Sequence, residues 1–304
     1  MRSRHRWLAL TLCGIATVPT AAQAATPYIP HYDHVVVVIM SAKSRSDIYG
    51  SPSAPYINGT LIQGASFTNS YAIADGFQPN YIALFSGSTQ GVSDEACPKI
   101  FNIQGGLAQQ LSNAGLSFAQ YSEGLDGIHP TSCGSGLYTR THNPVPDFPS
   151  LSAAANRPYN EFATVLANAT LPTISFVVPN LCNDMHGDPT YCNTNTAGQV
   201  ALGDQWLSAN VPQYLTSSSG QNGLLIVTWD HGSAFSSYAA TPIPTIFFGP
   251  HVKVGYTSST VINHYSVLRT LEDMYGLTAL GSAASAAPIT DIWDDTIFQN
   301  GFEP

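Results

Sequence analysis

The sequence predicts an α/β fold with a mostly parallel central sheet flanked by helices on both faces. An uninterrupted β-branched run over His34–Met40 is typical of a parallel strand that is buried on both faces. Similar apolar runs lie at Thr173–Val178 and Gly223–Trp229. Segments of helical periodicity separate these runs, and this alternation is characteristic of α/β proteins.

The individual elements follow from the same patterns. We expect strands, in chain order, over His34–Met40, Leu116–Tyr121, Thr173–Val178, Gly223–Trp229 and Pro244–Phe248. We expect helices over Tyr56–Gly64, Phe101–Gly115 and His264–Tyr275, where apolar residues recur every three or four positions. The polar stretch Thr190–Gly198 predicts a flexible insertion. In such a fold, ligands bind at the carboxyl ends of the strands.

The composition excludes several classes of protein. Only 10% of the 304 residues are charged, against roughly 25% in an ordinary soluble domain, and the formal net charge is −9. A nucleic-acid binder would carry a basic surface, so we expect no nucleic-acid partner. The hydrophobic share of 44% supplies a core and excludes a disordered chain.

The N-terminus has the three parts of a secretory signal peptide. Arginines among the first six residues precede an apolar run, Trp7–Val18, which is too short to span a bilayer, and Ala22–Ala24 offers a cleavage site. We therefore predict a signal peptide over residues 1–24, one domain over 25–294 and a loosely ordered tail over 295–304. The predicted protein is secreted or periplasmic and monomeric, without a transmembrane segment.

Cysteine usage agrees with export. Cys13 leaves with the signal peptide, and four cysteines remain, which allow three pairings into two disulfides. The pairing Cys97–Cys133 with Cys182–Cys192 closes the shortest loops, and we predict it. No C-x-x-C spacing favours a metal site instead.

Candidate functional residues follow the predicted strands. They are Ser41, Asp75, Asp184 with His186, and Asp230 with His231. Aspartate and histidine together are suited to binding a divalent metal or to acid–base chemistry. A single aspartate at a strand end more often caps the next turn, but several at one sheet edge favour a functional site.

Several segments of the chain resemble the bacterial phosphoesterase family of acid phosphatases and phospholipases C. They are Ala54–Asn58, Gly64–Thr68, Gln78–Gly91, Val178–His186, Gly203–Trp206, Ile243–Phe247, Ile262–Gly276 and Ile289–Trp293. The resemblance extends from about residue 34 to residue 293. It implies a fold similar to that of alkaline phosphatase and hydrolysis of a small phosphate ester or phospholipid by a metal-assisted Ser or Thr nucleophile.

The resemblance also implies roles for individual residues. Asn80, Arg140 and His142 would bind substrate. The metal ligands would come from the remaining matched positions, namely Asp184, His186, Asp230 and His231.

The chain departs from the family at the positions that carry chemistry. Ser41 and Ala42 stand where the family has Glu and Asn ligands, and Phe77 stands at the nucleophile position. A phenylalanine has no hydroxyl and cannot form a phosphoryl-enzyme. Thr141 replaces a lysine, and Asp230-His231 replaces the start of an acidic cluster. The framework segments match far better than these positions, so the ordinary family mechanism is not supported.

Three interpretations remain open at this point. The protein is an inactive or strongly altered phosphoesterase scaffold that still binds an ester or anion, without a cofactor. Alternatively, Asp230, His231, Asp75 and His186 hold one divalent metal whose hydroxide attacks the ester. In the third interpretation Ser41, His231 and Asp75 form a metal-free esterase triad, although no G-x-S-x-G motif surrounds Ser41.

Overall fold

A mixed sheet of eight strands forms the centre of the computed structural model, which describes residues 28–126, 132–217, 222–233 and 239–294. In spatial order the strands are β10 (Thr257–Asn263), β2 (Ala65–Tyr71), β9 (Thr245–Phe248), β8 (Gly223–Trp229), β1 (His34–Met40), β7 (Ile174–Val178), β3 (Phe118–Ser122) and β6 (Asn156–Pro158). A separate hairpin joins β4 (Gly134–Ser135) and β5 (Tyr138–Thr139).

All strands of the sheet run in the same direction except β9, which is antiparallel to both of its neighbours. The central strand β1 pairs with β8 along its whole length, from His34 opposite Gly223 to Met40 opposite Trp229. The carboxyl ends of β1, β7 and β8 therefore meet at one edge.

Helices cover both faces of the sheet. Their bounds are α1 (Arg45–Ile48), α2 (Pro55–Gly59), α3 (Gln78–Ser86), α4 (Gly106–Asn113), α5 (Phe162–Ala167), α6 (Thr196–Thr216) and α7 (His264–Met274). Side chains of β1 alternate between two hydrophobic clusters because successive strand residues point to opposite faces. Val35 and Val37 join the cluster with α3, α4 and α7, whereas Val36 and Val38 join the cluster with α1, α2, α5 and α6.

The predicted fold class is confirmed, and each predicted strand is present within two residues of its predicted bounds. The predicted helix Phe101–Gly115 is shorter, since Gly106 at its start adopts a positive φ of 55°. The predicted helix Tyr56–Gly64 ends at Gly59 and continues as a 3-10 turn. The expectation of a flexible insertion was partly wrong, because α6 begins at Thr196 inside that stretch.

The predicted signal peptide and C-terminal tail lie outside the described residues. Within the described ranges, no helix combines the length and the apolar character that crossing a bilayer requires.

Candidate functional site

The ends of three neighbouring strands are joined by backbone hydrogen bonds. Asp230, which follows β8, donates its N–H to the carbonyl of Met40 at the end of β1, at 2.9 Å. Ser41 donates its N–H to the carbonyl of Asp184, in the loop after β7, at 2.7 Å. The topology thus brings together the strand-end residues that the sequence indicated.

The Asp230 carboxylate accepts three hydrogen bonds from its own surroundings. Its Oδ2 accepts from the Ser41 hydroxyl at 2.8 Å, and its Oδ1 accepts from the N–H groups of Ala42 at 3.0 Å and His231 at 2.6 Å. Asp230 is 1% exposed, so these donors replace the water it loses. Asp230 therefore fixes the turn between β1 and β8.

The predicted triad does not coincide with these contacts. A serine hydroxyl carries one proton, and that of Ser41 is donated to Asp230 and not to a histidine. Asp75, in the loop after β2, accepts a hydrogen bond from the N–H of Ala239 at 3.0 Å. The Ser41–His231–Asp75 triad stays a prediction.

Asp184 orients a histidine. Its Oδ2 lies 3.0 Å from Nδ1 of His142, and its Oδ1 accepts the N–H of His186 at 2.7 Å. A carboxylate only accepts, so Nδ1 of His142 carries the proton and Nε2 carries the lone pair. His142 is 2% exposed, and its Nε2 is buried without a hydrogen-bond partner among the described residues.

Two further histidines near His142, namely His186 and His231, also carry a proton on Nδ1. Nδ1 of His186 donates to the carbonyl of Gly187 at 2.8 Å, and Nδ1 of His231 donates to the carbonyl of Gly232 at 2.6 Å. In neutral His186, Nε2 then carries the lone pair, which is the arrangement required of a base, a nucleophile or a metal ligand.

Phe77 lies among these three imidazoles, which together we call the histidine cluster (His142, His186 and His231). Its ring centroid is 4.9 Å from that of His142, 5.3 Å from that of His186 and 6.2 Å from that of His231. The rings of His142 and His186 are 5.7 Å apart, and Tyr81 stacks on His142 at 4.9 Å. Phe77, which stands where the resemblance places the nucleophile, thus lies at the centre of a group of nitrogen bases.

The charge state of His142 is set by opposing effects. Burial disfavours the imidazolium, but the hydrogen bond to Asp184 and the negative charges of Asp184, Asp230 and Glu95 outweigh burial and raise the pKa of His142. The surrounding carboxylates therefore stabilise a positive charge on this ring.

Lys43 supplies a buried positive charge at the same edge. Its Nζ donates to the carbonyls of Met185 at 2.6 Å and Ala42 at 3.1 Å, and the residue is 3% exposed. Burial lowers the pKa of Lys43, while the charges of Asp184 and Asp230 oppose that change. No sequence pattern indicated Lys43 as a functional candidate, although it lies two positions after Ser41.

Glu95 is a second residue at this site that was not predicted from the sequence. Its carboxylate accepts the N–H of Phe77 at 2.9 Å and the N–H of Gln78 at 3.1 Å, so it lies at the amino end of α3. Helix amino ends favour anions because their first N–H groups lack partners within the helix. Burial raises the pKa of Glu95. No sequence signal marks it, since it comes from a loop and not from a strand end.

The predicted substrate-binding residues Asn80 and Arg140 make internal contacts. Asn80 accepts the N–H groups of Ile73 and Ala74 at 2.8 and 3.1 Å and donates to the carbonyl of Gly76 at 2.6 Å. Arg140 is paired with Asp147 at 2.9 Å, and both are buried. Burial raises the pKa of Asp147 to about 6 despite this pairing. Their role toward a substrate stays a prediction.

The residues present do not fit the metal ions that the family resemblance implies. In the part of the chain that the structure describes, no three His, Cys, Asp or Glu side chains group as a metal site. The carboxylates of Asp184 and Asp230 accept hydrogen bonds from the chain itself, and the Lys43 ammonium interacts electrostatically with both. The one-metal interpretation, with Asp230, His231, Asp75 and His186 as ligands, stays a prediction.

Two disulfides hold loops next to the site, and the predicted pairing is confirmed. Cys97 is bonded to Cys133, and Cys182 is bonded to Cys192. The first bond lies two residues after Glu95, and the second closes the loop that carries Asp184.

The central sheet with helices on both faces is an α/β sandwich similar in fold to solved members of the alkaline phosphatase superfamily. A Vibrio parahaemolyticus protein of the alkaline phosphatase superfamily matches with a TM-score of 0.61 and 17% identity, over 86% of this chain and 72% of that one. The phosphonate monoester hydrolase of Agrobacterium radiobacter matches with a TM-score of 0.57 and 14% identity, over 90% and 78% of the two chains. These likenesses establish the fold.

The chain belongs to the Phosphoesterase family, whose model matches residues 47–278. It is 37% identical over 281 residues to a phosphatidylinositol-3-phosphatase of Mycobacterium tuberculosis, covering 92% of this chain and 89% of the relative. It is 30% identical to a phosphate-repressible acid phosphatase of Penicillium chrysogenum over 72% of this chain. The matched part spans 54% of that fungal relative's length.

Proposed function

We propose that the chain is a phosphate-monoester hydrolase with a strongly altered centre, in which the histidine cluster replaces the family's metals and hydroxyl nucleophile. The observation that carries this proposal is the buried Asp184–His142 pair, whose Nε2 has no hydrogen-bond partner among the described residues. A relative named as a phosphatase that matches nearly the full length supports the reaction class.

His142 is the proposed nucleophile. Asp184 holds the Nδ1 proton at 3.0 Å, which orients the ring and stabilises the positive charge it gains on attack. The ring of Phe77 lies 4.9 Å from that of His142 and must turn aside for a phosphoryl group to reach Nε2. Nε2 then forms a bond to phosphorus while the bond from phosphorus to the leaving oxygen breaks.

His186 is the proposed proton donor to the leaving group. It is partly exposed, and its ring is 5.7 Å from that of His142, so both imidazoles could contact one phosphoryl group once the Phe77 ring has turned aside. In its protonated form His186 gives the Nε2 proton to the leaving oxygen. A water molecule next attacks phosphorus and gives its proton to neutral His186, and the bond from phosphorus to His142 breaks to release phosphate.

Positive charge stabilises the transferred group in this scheme. The groups available are the Lys43 ammonium and the N–H groups of Phe77 and Gln78 at the start of α3. Glu95 already uses the two N–H groups, and a substrate phosphoryl group would have to displace its carboxylate.

A second candidate function is binding of a phosphate ester without turnover. The observation that favours it is the pair of contacts that close the centre: the Phe77 ring over His142 and the Glu95 carboxylate on the amino end of α3. A scaffold of this kind would bind phosphate and release it unchanged.

The proposed substrate is a small phosphate monoester or the head group of a phospholipid, and the proposed location is outside the cytoplasm. The relative's name supports a phosphorylated polyol as the substrate class. The two disulfides support export, because such bonds persist in oxidising compartments. The signal peptide over residues 1–24 remains part of the proposal.

Hydrolysis of p-nitrophenyl phosphate by the purified protein, with and without a chelator, tests the proposal. We expect turnover that resists the chelator and is lost in His142→Asn but not in the matched surface variant His31→Asn. Chelator-sensitive turnover that is lost in Asp230→Ala would instead support the one-metal interpretation. Absence of turnover together with saturable binding of inorganic phosphate in calorimetry would support the second candidate.

A further inference from the structure

A polar recess opens beside His186, between the loop after β7 and the amino end of α6. Its volume is about 190 Å³. We call it the α6 recess, and it is lined by His186, Gly187, Asp188, Pro189, Cys192, Asn193, Thr194 and Gln199. Because His186 belongs to the histidine cluster, the recess adjoins the proposed reaction centre.

The lining offers hydrogen-bonding groups that the protein itself does not use. Among the described residues, the side chains of Asn193, Thr194 and Gln199 have no hydrogen-bond partner. The Gln199 carboxamide is half-buried and packs against Gly187, where an added Cβ would lie 2.2 Å from its Nε2. Only glycine at 187, whose φ is +88°, allows the carboxamide to lie there.

The walls of the recess are held in place by covalent and hydrogen bonds. The Cys182–Cys192 disulfide closes one wall. Asp188 accepts the N–H groups of Thr190 at 2.7 Å and Tyr191 at 2.9 Å, and Asn195 caps α6 by accepting the N–H of Gly198 at 3.0 Å. A recess whose walls are fixed in advance loses less entropy when it binds a ligand.

The charges of the lining select against an anionic ligand. The described residues of the wall include no lysine or arginine, and Asp188 contributes a carboxylate. A second phosphate would meet that negative charge without a partner. A neutral group with several hydroxyls would satisfy the amide and hydroxyl groups of Asn193, Thr194 and Gln199.

We propose that the α6 recess binds the polyhydroxylated alcohol of a phosphate monoester, with the phosphoryl group at the histidine cluster. This inference rests on the proposed function and specifies its leaving group. The recess, with a volume of about 190 Å³, admits one small polyol, and its polar lining does not suit an acyl chain. A sugar monophosphate and an inositol monophosphate share this chemistry.

The test compares two substrates in two glutamine variants on the same helix. Gln199→Met keeps the side chain's length and removes its hydrogen bonds, and Gln213→Met makes the same change at an exposed site on α6. We expect Gln199→Met to lower kcat/KM for glucose 6-phosphate about fivefold and to leave p-nitrophenyl phosphate within about twofold. Gln213→Met should change neither substrate. Inositol 1-phosphate is assayed alongside. The polyol phosphate whose kcat/KM falls more in Gln199→Met is the one whose alcohol the recess binds.

The outcomes separate failure of the proposed recess from failure of the proposed reaction. An equal loss for both substrates, or no loss for either, overturns the proposed recess. If the wild-type protein hydrolyses neither substrate, the proposed function fails. Calorimetric titration with glucose 6-phosphate then tests the recess alone: weaker binding by Gln199→Met than by Gln213→Met supports it, and equal binding overturns it.

Discussion

Two buried aspartates flank the end of β1 and are used in opposite ways. Asp230 accepts hydrogen bonds from a hydroxyl and two backbone N–H groups and so fixes a turn. Asp184 accepts a hydrogen bond from the His142 imidazole and so orients a nitrogen base. Residue type, burial and position at the sheet edge are the same, and the partner alone separates a structural carboxylate from a proposed catalytic one.

The largest expected effect concerns the histidine that Asp184 orients. His142→Asn keeps a polar side chain that reaches Asp184 and removes the nucleophilic Nε2. We expect kcat for p-nitrophenyl phosphate to fall by about 10²–10⁴-fold in the folded variant. Unchanged turnover would show that His142 is not the nucleophile and that Asp184 does not orient a catalytic base.

Asp230 should matter for stability instead. Asp230→Ala leaves the Ser41 hydroxyl and the N–H groups of Ala42 and His231 without their acceptor in a buried place. We expect a loss of about 3 kcal/mol in the free energy of unfolding, measured by urea denaturation. The control Asp273→Ala, which breaks a partly exposed pair with Arg269, should cost less than about 1 kcal/mol. Equal losses in both variants would contradict the structural role of Asp230.

The sheet could be predicted from the sequence where burial on both faces leaves a continuous apolar run. This was so for β1, β7 and β8. It was not so for β2 and β10: β10 is an edge strand whose side chains are largely exposed, and its sequence is mostly polar. The long helix α6 was missed because Gly203 and Pro212 lie inside it and interrupt the helical pattern.

The site could be predicted only in part, for a related reason. The strand-end rule located Asp184, Asp230 and His231, since topology alone brings them together. It did not reveal that Ser41 pairs with Asp230, because a side-chain rotamer decides this contact. Nor did it reveal Glu95, which reaches the site from a loop held by a disulfide.

The pH dependence of stability is a further test of the Asp184–His142 pair. A raised pKa in the folded state means that the native protein binds the proton more tightly than the unfolded chain. The pair's contribution is therefore full below about pH 6.5, the ordinary value for histidine, and is lost as pH rises through the folded pKa. We therefore expect the unfolding temperatures of wild type and His142→Asn to differ more at pH 5 than at pH 9. Thermal unfolding of wild type and His142→Asn from pH 5 to 9 measures this difference, and parallel curves would contradict it.

Glu95 combines features of both aspartates. Like Asp230 it accepts backbone N–H groups, those of Phe77 and Gln78. Like Asp184 it interacts electrostatically with His142. Unlike either aspartate it is partly exposed and comes from a loop, so a phosphoryl group can compete with it for the amino end of α3.

Removing the charge of Glu95 should therefore strengthen anion binding and not weaken it. Glu95→Gln keeps the size of the side chain and leaves the two N–H groups a poorer acceptor. We expect inorganic phosphate to bind about three- to tenfold more tightly, from the loss of one competing charged hydrogen bond. The control is Glu161→Gln, which removes a carboxylate paired with Arg157 on the surface and should leave phosphate affinity unchanged. Calorimetric titration with phosphate at pH 7 measures both variants. Weaker phosphate binding by Glu95→Gln would contradict this prediction. It would show that the Glu95 carboxylate, like that of Asp230, has a structural role and does not compete with the substrate.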